Sequence, residues 1–287
     1  MNSFDSLKNE YENIKASDEL RKRVKKTMKK ENRKNNVWKG GIGLVAGLAA
    51  VIMLVVNFIP SAAYAMSGIP GFAPIIKVIT FGRYETSDKG YQAKVVTPKI
   101  EGLLDKDLEK KLNDEFKENA DAVISAYEQD VRKLKEEFGD ETIHMGVESN
   151  YIVKTDNENI LALDVYLLNI AGSSSTKHTF YTIDKKTGEL LTLKGLFKDD
   201  ADYVTALSDC IRDEMIRQNK EEQGMFWIDG VTEESFEGFK QIKPDQNFYI
   251  NDDGRIVICF DKYDVAAGAQ GSPEFIIPDN IVKDLLK

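Results

Sequence analysis

Residues 42–59 read IGLVAGLAAVIMLVVNFI, an apolar run in which Asn57 is the only strongly polar side chain. As a helix, these 18 residues span about 27 Å, close to the bilayer hydrocarbon thickness of about 30 Å. No other stretch of the 287 residues approaches it. The run predicts one transmembrane helix, residues 40–59, and it divides the chain into the parts on either side.

Charge differs sharply between those two sides. Residues 1–39 hold 12 basic and 6 acidic side chains, residues 40–65 hold none, and residues 66–287 hold 27 basic and 42 acidic ones. The net charges are therefore +6 and −15 around an uncharged centre. Because basic flanks stay in the cytoplasm, we expect a single-pass cell-membrane protein with a cytoplasmic N-terminus and an extracellular C-terminal domain.

Small side chains follow the apolar run. Ala63-Tyr64-Ala65 has the A-x-A pattern that signal peptidase recognises, which places a cut before Met66. We therefore predict a cleavage region and tether at residues 60–80. Two interpretations remain open from these residues: a cleaved signal peptide that releases a secreted protein, and a membrane protein that is cut conditionally.

The segment 1–39 carries two short amphipathic helical patterns. In the second, Leu20, Val24 and Met28 share one face, and six basic side chains cover the rest. Such a helix can lie on anionic lipid or can bind in the groove of a cytoplasmic protein. Nucleic acid is not an expected partner, because the segment has no nucleic-acid-binding motif and is tied to the membrane.

Residues 81–287 read as one α+β domain, an antiparallel sheet packed with helices. Apolar residues recur at helical spacing over 104–138, which predicts a long surface helix. A second helix is predicted at 199–219. Strands are predicted at 91–97, 147–155, 159–170, 177–183, 190–193, 247–250, 255–261 and 275–277, and a terminal helix opens at Pro278.

Catalytic motifs are weak in this sequence. The chain has two histidines, His144 and His178, and neither an HExxH nor a G-x-S-x-G motif. We therefore expect a binding protein that is not an enzyme and has no cofactor or metal. Cys210 and Cys259 are compatible with a disulfide or with two buried thiols.

Several stretches resemble the RsiV-like family of bacterial anti-sigma factors. They are IIKVITF at 75–81, DKKTGEL at 184–190 with 193–197, the run 247–278, and ASDEL at 16–20. Within 247–278, the pattern is carried by Phe248-Tyr249, Asp253-Gly254, Phe260-Asp261-Lys262-Tyr263, Gly271 and Pro273-Glu274-Phe275. The resemblance covers nearly the whole chain.

The resemblance implies a function. Members of this family hold an extracytoplasmic-function sigma factor of the sigma-V type at the membrane, and their outer domain binds lysozyme. Binding permits cleavage by signal peptidase, here at Ala63, Ala65 and Met66, and then by a site-2-type intramembrane protease. It also implies that Leu20, Val24 and Met28 hold the sigma factor.

Two loops are the candidate lysozyme contacts. The first is 172–177, with Ser173, Ser174 and Ser175, and the second is 264–273, with Ala267, Gly268 and Ala269. At the start of the second loop, Ala267-Gly268 stands where the family pattern has a Pro-Tyr pair. The alternatives are a secreted or surface lysozyme inhibitor and a peptidoglycan-associated binding module, neither of which needs the cytoplasmic segment.

Overall fold

The longest element of the computed structural model is a helix of 33 residues, α1 (Lys106–Phe138). Asp105 caps its start, because the carboxylate accepts the backbone N–H groups of Asp107 and Leu108. Leu112, Phe116, Ala120 and Tyr127 form its buried stripe, which confirms the helical period predicted for this stretch. The structure describes residues 76–139, 143–232 and 237–287, so the predicted cytoplasmic segment, membrane helix and cleavage motif lie outside them.

Helix α1 packs on a six-stranded sheet. The strands, in spatial as well as chain order, are β1 (Lys77–Asp88), β2 (Tyr91–Glu101), β3 (Met145–Asp156), β4 (Ile160–Ala171), β5 (Ser173–Asp184) and β6 (Leu190–Leu191). Four of the five neighbouring pairs are antiparallel, but β2 and β3 run parallel. The predicted antiparallel sheet is confirmed for the other pairs but not for this one, because α1 carries the chain back to the end at which β2 began.

Hydrogen bonds from α1 side chains to the backbone of β2 and the following turn hold the two elements together; we call them the clasp. The side-chain amide of Asn113 accepts the N–H of Ile100 and donates to the carbonyl of the same residue, both at 2.8 Å. Glu109 accepts the N–H groups of Gly102 and Leu103 at the turn before the helix. The crossover is therefore held by polar contacts as well as by its apolar stripe.

A second core lies in residues 191–287. It is formed by α2 (Tyr203–Glu221), the three-stranded antiparallel sheet β7 (Phe248–Ile250), β8 (Ile256–Cys259) and β9 (Glu274–Ile276), the short α3 (Asp279–Val282) and the connecting segments. Both helices begin later than predicted. Asp202 caps α2, and Pro278 is the capping residue of α3 rather than its first residue.

A smaller apolar cluster lies between the large sheet and the small one. Ala162 on β4 packs with Tyr249, Val257 and Cys259 of the small sheet, while α1 covers the opposite face. We call residues 76–191 the amino-terminal lobe and 192–287 the carboxy-terminal lobe. Cys210 and Cys259 are both free thiols, and burial raises the pKa of the Cys259 thiol, which disfavours the reactive thiolate.

Within the described ranges, none of the helices combines the length and apolar character that crossing a bilayer would require. Strand β1 begins at Lys77, four residues before the predicted start of the outer domain.

Candidate functional site

The first predicted loop is a tight hairpin tip. Strand β4 ends at Ala171 and β5 begins at Ser173, so the turn is made by Gly172, whose φ of 69° favours glycine. Ser173, Ser174 and Ser175 were expected in a loop but pair with Ala171, Ile170 and Asn169 of β4. The prediction was wrong on this point because serines have low strand propensity and gave no pattern that would extend β5.

The second predicted segment is anchored at its centre. Val265 and Ala266 are buried, and the backbone N–H of Ala267 donates to the Met225 carbonyl at 3.1 Å. Ala267 then caps a short 3-10 helix, Gly268–Gln270. Ala267, Gly268 and Ala269 therefore stand on a fixed backbone rather than in a free connection.

Tyr263 joins these two segments. Its hydroxyl lies 3.0 Å from Ser173 Oγ, and Gly268 packs so closely on its ring that a Cβ at that position would collide with it. The side chain is 43% exposed, and its φ of 75° is unusual for a non-glycine residue. Strained backbone beside an exposed aromatic ring is typical of binding sites.

Lys262 contacts both Ser174 and the Tyr263 ring. Its ammonium donates to Ser174 Oγ at 2.8 Å and lies 5.1 Å from the centre of the Tyr263 ring. Its backbone N–H donates to the Thr176 carbonyl. We call Ser173–Ser175, Lys262, Tyr263 and Ala267–Ala269 the junction surface. The two segments predicted separately therefore lie side by side on one surface.

A partly buried polar network lies next to the junction surface. His178 Nδ1 is 3.0 Å from both carboxylate oxygens of Asp164, and Nε2 is 3.1 Å from Ser272 Oγ. Burial alone would lower the pKa of His178, but the hydrogen bond and charge of Asp164, with the charges of Asp261 and Glu274, raise it above 6.5. His178 lies in strand β5, as predicted, but its contacts were not foreseen.

Sequence reasoning missed Tyr263 and Lys262 as site residues. Both belong to the Phe260-Asp261-Lys262-Tyr263 stretch that carries the family pattern, and an aromatic residue beside a cation in a connection was a usable signal. The other predicted sites are not described. Leu20, Val24, Met28, Ala63, Ala65 and Met66 all lie outside the described residues. Within the described ranges, no group of three or more His, Cys, Asp or Glu side chains is placed to hold a metal.

Two protein-family models match separate parts of this chain. Residues 84–172 match the family model "Deacetylase PdaC", and residues 194–280 match "Protein of unknown function (DUF3298)". A crystal structure of a DUF3298 family member from Bacteroides fragilis superposes with a TM-score of 0.55 at 18% identity, over 75% of this chain and 95% of that one. A DUF3298 protein from Pseudomonas aeruginosa gives 0.46 at 14% identity, covering 75% and 94%. The Bacteroides structure shows that about three quarters of this chain shares the fold of a DUF3298 family member.

A relative then identifies the family. The anti-sigma-V factor RsiV of Bacillus subtilis (strain 168) is 34% identical over 281 residues, which are 98% of this chain and 95% of the relative. The match thus extends beyond the described residues into the amino-terminal part of the chain. The chain belongs to the RsiV-like anti-sigma factor family.

Proposed function

We propose that this chain is a membrane-anchored anti-sigma factor that senses lysozyme. Its cytoplasmic segment holds an extracytoplasmic-function sigma factor of the sigma-V type, and its outer domain binds lysozyme directly. Binding permits signal peptidase to cut between Ala65 and Met66, and an intramembrane protease then releases the sigma factor. The chain itself catalyses no step.

The junction surface is the observation that best supports lysozyme binding. Two segments expected to contact lysozyme, separated by about 90 residues of chain, meet at Tyr263, which touches Ser173 and packs on Gly268. An exposed tyrosine held by its neighbours is a typical hot-spot residue, because little side-chain entropy is lost on binding. Family membership supports the anti-sigma role and a sigma factor as partner.

Charge supports the encounter with this ligand. Residues 66–287 carry a net charge of −15, which attracts a basic enzyme such as lysozyme and speeds association. This contribution is screened over about 8 Å at physiological ionic strength. Binding should therefore weaken as salt is added, mainly through a slower association rate.

The cleavage step is tested by N-terminal sequencing. Full-length protein is isolated from cells before and after lysozyme treatment, and a new N-terminus at Met66 is expected only after treatment. Ala65→Trp should remain intact, because the signal-peptidase subsite needs a small side chain, whereas Ala65→Ser should be cut. Clipping of the Trp variant at Met66 would show that the site is assigned wrongly.

The sigma-binding face is tested in the same cells. Leu20→Asp with Val24→Asp should switch on sigma-dependent transcription without lysozyme, because apolar area needed for binding is lost. The matched control, Lys22→Gln with Lys26→Gln, lowers the net charge by the same two units but keeps the apolar face. Repression lost only in the control would instead support attachment to anionic lipid.

A peptidoglycan-associated binding module is the second candidate function. It is favoured by one observation, the match of residues 84–172 to a family model named for a deacetylase. Co-sedimentation of the protein with purified peptidoglycan, in the absence of lysozyme, would support it. Co-sedimentation that requires lysozyme on the peptidoglycan would support the lysozyme receptor.

A further inference from the structure

His178 touches both ends of the segment that carries Tyr263 and Ala267–Ala269. At the start, its backbone N–H donates to the carboxylate of Asp261 at 2.7 Å. At the end, its ring Nε2 lies 3.1 Å from the hydroxyl of Ser272. We call residues 261–272 the clamped segment. One residue on β5 thus contacts both ends of a segment that belongs to the carboxy-terminal lobe.

The histidine itself is held from two sides. Asp164, on the neighbouring strand β4, is 2% exposed and accepts from Nδ1, which orients the ring. The side chain of Asn247, next to β7, donates to the His178 carbonyl at 2.8 Å. Tyr166 and Phe180 flank the ring at 6.1 Å and 5.9 Å between centroids. The imidazole therefore has one orientation available to it.

We propose that His178, oriented by Asp164, is a positioning residue that preorganises the clamped segment for the ligand of the junction surface. The proposal rests on the proposed lysozyme binding, and it adds a reason why the surface is ready before the ligand arrives. The middle of the segment is separately fixed to residues 225–227 by backbone hydrogen bonds. His178 therefore controls the two flanks, which contain Tyr263 on one side and the 3-10 helix on the other.

The geometry holds the ring in either charge state. A neutral ring donates Nδ1–H to Asp164 and accepts the Ser272 hydroxyl at Nε2, whereas a charged ring donates to both partners. Removing the side-chain oxygen of Ser272 or Asp261 therefore frees one end of the clamped segment from His178, whether the imidazole is neutral or charged. A flank that must be ordered on binding weakens affinity, because the entropy of ordering is then lost at that moment.

Hydrogen exchange on the full-length protein in detergent tests the clamp without any ligand. Ser272→Ala should speed exchange of the Gln270 and Gly271 amides by about three- to tenfold, the range set by one net hydrogen bond. Asp261→Ala should do the same for Lys262 and Asp264. The matched variants Ser272→Thr and Asp261→Asn keep an oxygen in place and should exchange like the wild type.

The amides of Ile258 and Cys259 in β8 are the internal reference. Faster exchange that spreads to them in the alanine variants would mean a general loss of stability, and would overturn a role confined to the clamped segment. Unchanged exchange at all four reporter amides would overturn the proposal as well.

Binding of the same variants to hen lysozyme tests the link to function. The dissociation constant should rise about three- to tenfold for Ser272→Ala and Asp261→Ala, and stay within about twofold for the matched variants. Equal affinity of all four would overturn the positioning role. Failure of the wild type to bind would instead refute the proposed function. The exchange experiment would still show whether His178 orders the clamped segment.

Ser272, His178 and Asp164 also have the contacts of a Ser-His-Asp nucleophile system. A fluorophosphonate probe distinguishes the two roles. No labelling of Ser272 is expected. Labelling of wild-type protein at Ser272, abolished by His178→Gln, would make the array a reactive site and overturn the positioning role.

Discussion

The two lobes differ in how much regular secondary structure they contain. The amino-terminal lobe is built from five strands of 11 or 12 residues, a two-residue edge strand and a helix of 33 residues, whereas the strands of the carboxy-terminal sheet have three or four residues. Yet the larger apolar cluster of the described residues, with 19 buried members against 9, is the carboxy-terminal one. Backbone ladders position residues in the first lobe, and side-chain packing positions them in the second.

This difference explains the character of the junction surface. Its serines lie on a long regular strand, while Tyr263 and Ala267–Ala269 lie on irregular chain above the packed core. A rigid ladder and a packed but irregular segment together form a surface that neither would form alone. Each prediction below alters one side of this pairing.

The largest effect is expected from cavities in the two cores. Ile211→Ala on α2 and Leu112→Ala on α1 remove side chains that are 0% and 1% exposed, and each should lower the free energy of unfolding by about 2–5 kcal/mol. Urea titration followed by circular dichroism measures this. Asp213→Ala, exposed on α2, is the control and should change it by less than about 0.5 kcal/mol. Because the two sheets pack against each other at Ala162, both variants should shift a single transition. Two separate transitions would show that the lobes unfold independently.

The clasp between α1 and β2 should rank next. Asn113→Ala leaves the N–H and carbonyl of Ile100 without their side-chain partner, at a cost of about 1–3 kcal/mol in unfolding free energy. Asn119→Ala on the same helix is the matched control, because Asn119 is exposed. Equal midpoints for the two variants in thermal unfolding would show that apolar packing alone holds the crossover.

Tyr263 should dominate at the junction surface. Tyr263→Ala should weaken lysozyme binding by about 2 kcal/mol, and Tyr263→Phe, which loses only the contact with Ser173, by less than about 1 kcal/mol. Gly268→Ala should also weaken binding, because its methyl group displaces the ring. Isothermal titration measures all three. Ile276→Ala, at a 56% exposed site on β9, is the control. An equal loss of lysozyme affinity in this variant would show that the interface is not centred on Tyr263.

The smallest effect is a pH dependence carried by His178. Its pKa is raised in the folded state, so the folded protein binds the proton more tightly than the unfolded chain does. This contribution is complete below the unfolded pKa of 6.5 and is lost as pH rises through the folded pKa. The unfolding free energy of the wild type should therefore fall over that window relative to His178→Gln. Parallel pH profiles would contradict the assignment.

Local patterns determined much of this fold. The 3.6-residue period over 104–138 was sufficient for α1, because one stripe of a surface helix must be apolar. The stretch Asp184-Lys-Lys-Thr-Gly188 has the composition of a turn, and in the structure the Gly188 N–H closes it onto the Asp184 carbonyl with a glycine φ of 77°. The predicted strands at 247–250, 255–261 and 275–277 are present: β7 and β8 are shorter than predicted, and β9 begins one residue earlier.

Contacts between distant residues were decided only by the tertiary structure. Nothing in the separate patterns of β2 and β3 specifies that they run parallel; α1 does so by returning the chain to the same end. The pairing of Ser173 with Tyr263, and of His178 with Asp164 and Ser272, joins positions up to 94 residues apart. Such contacts follow from how the lobes pack, and a periodic pattern carries information only about the face of a single element.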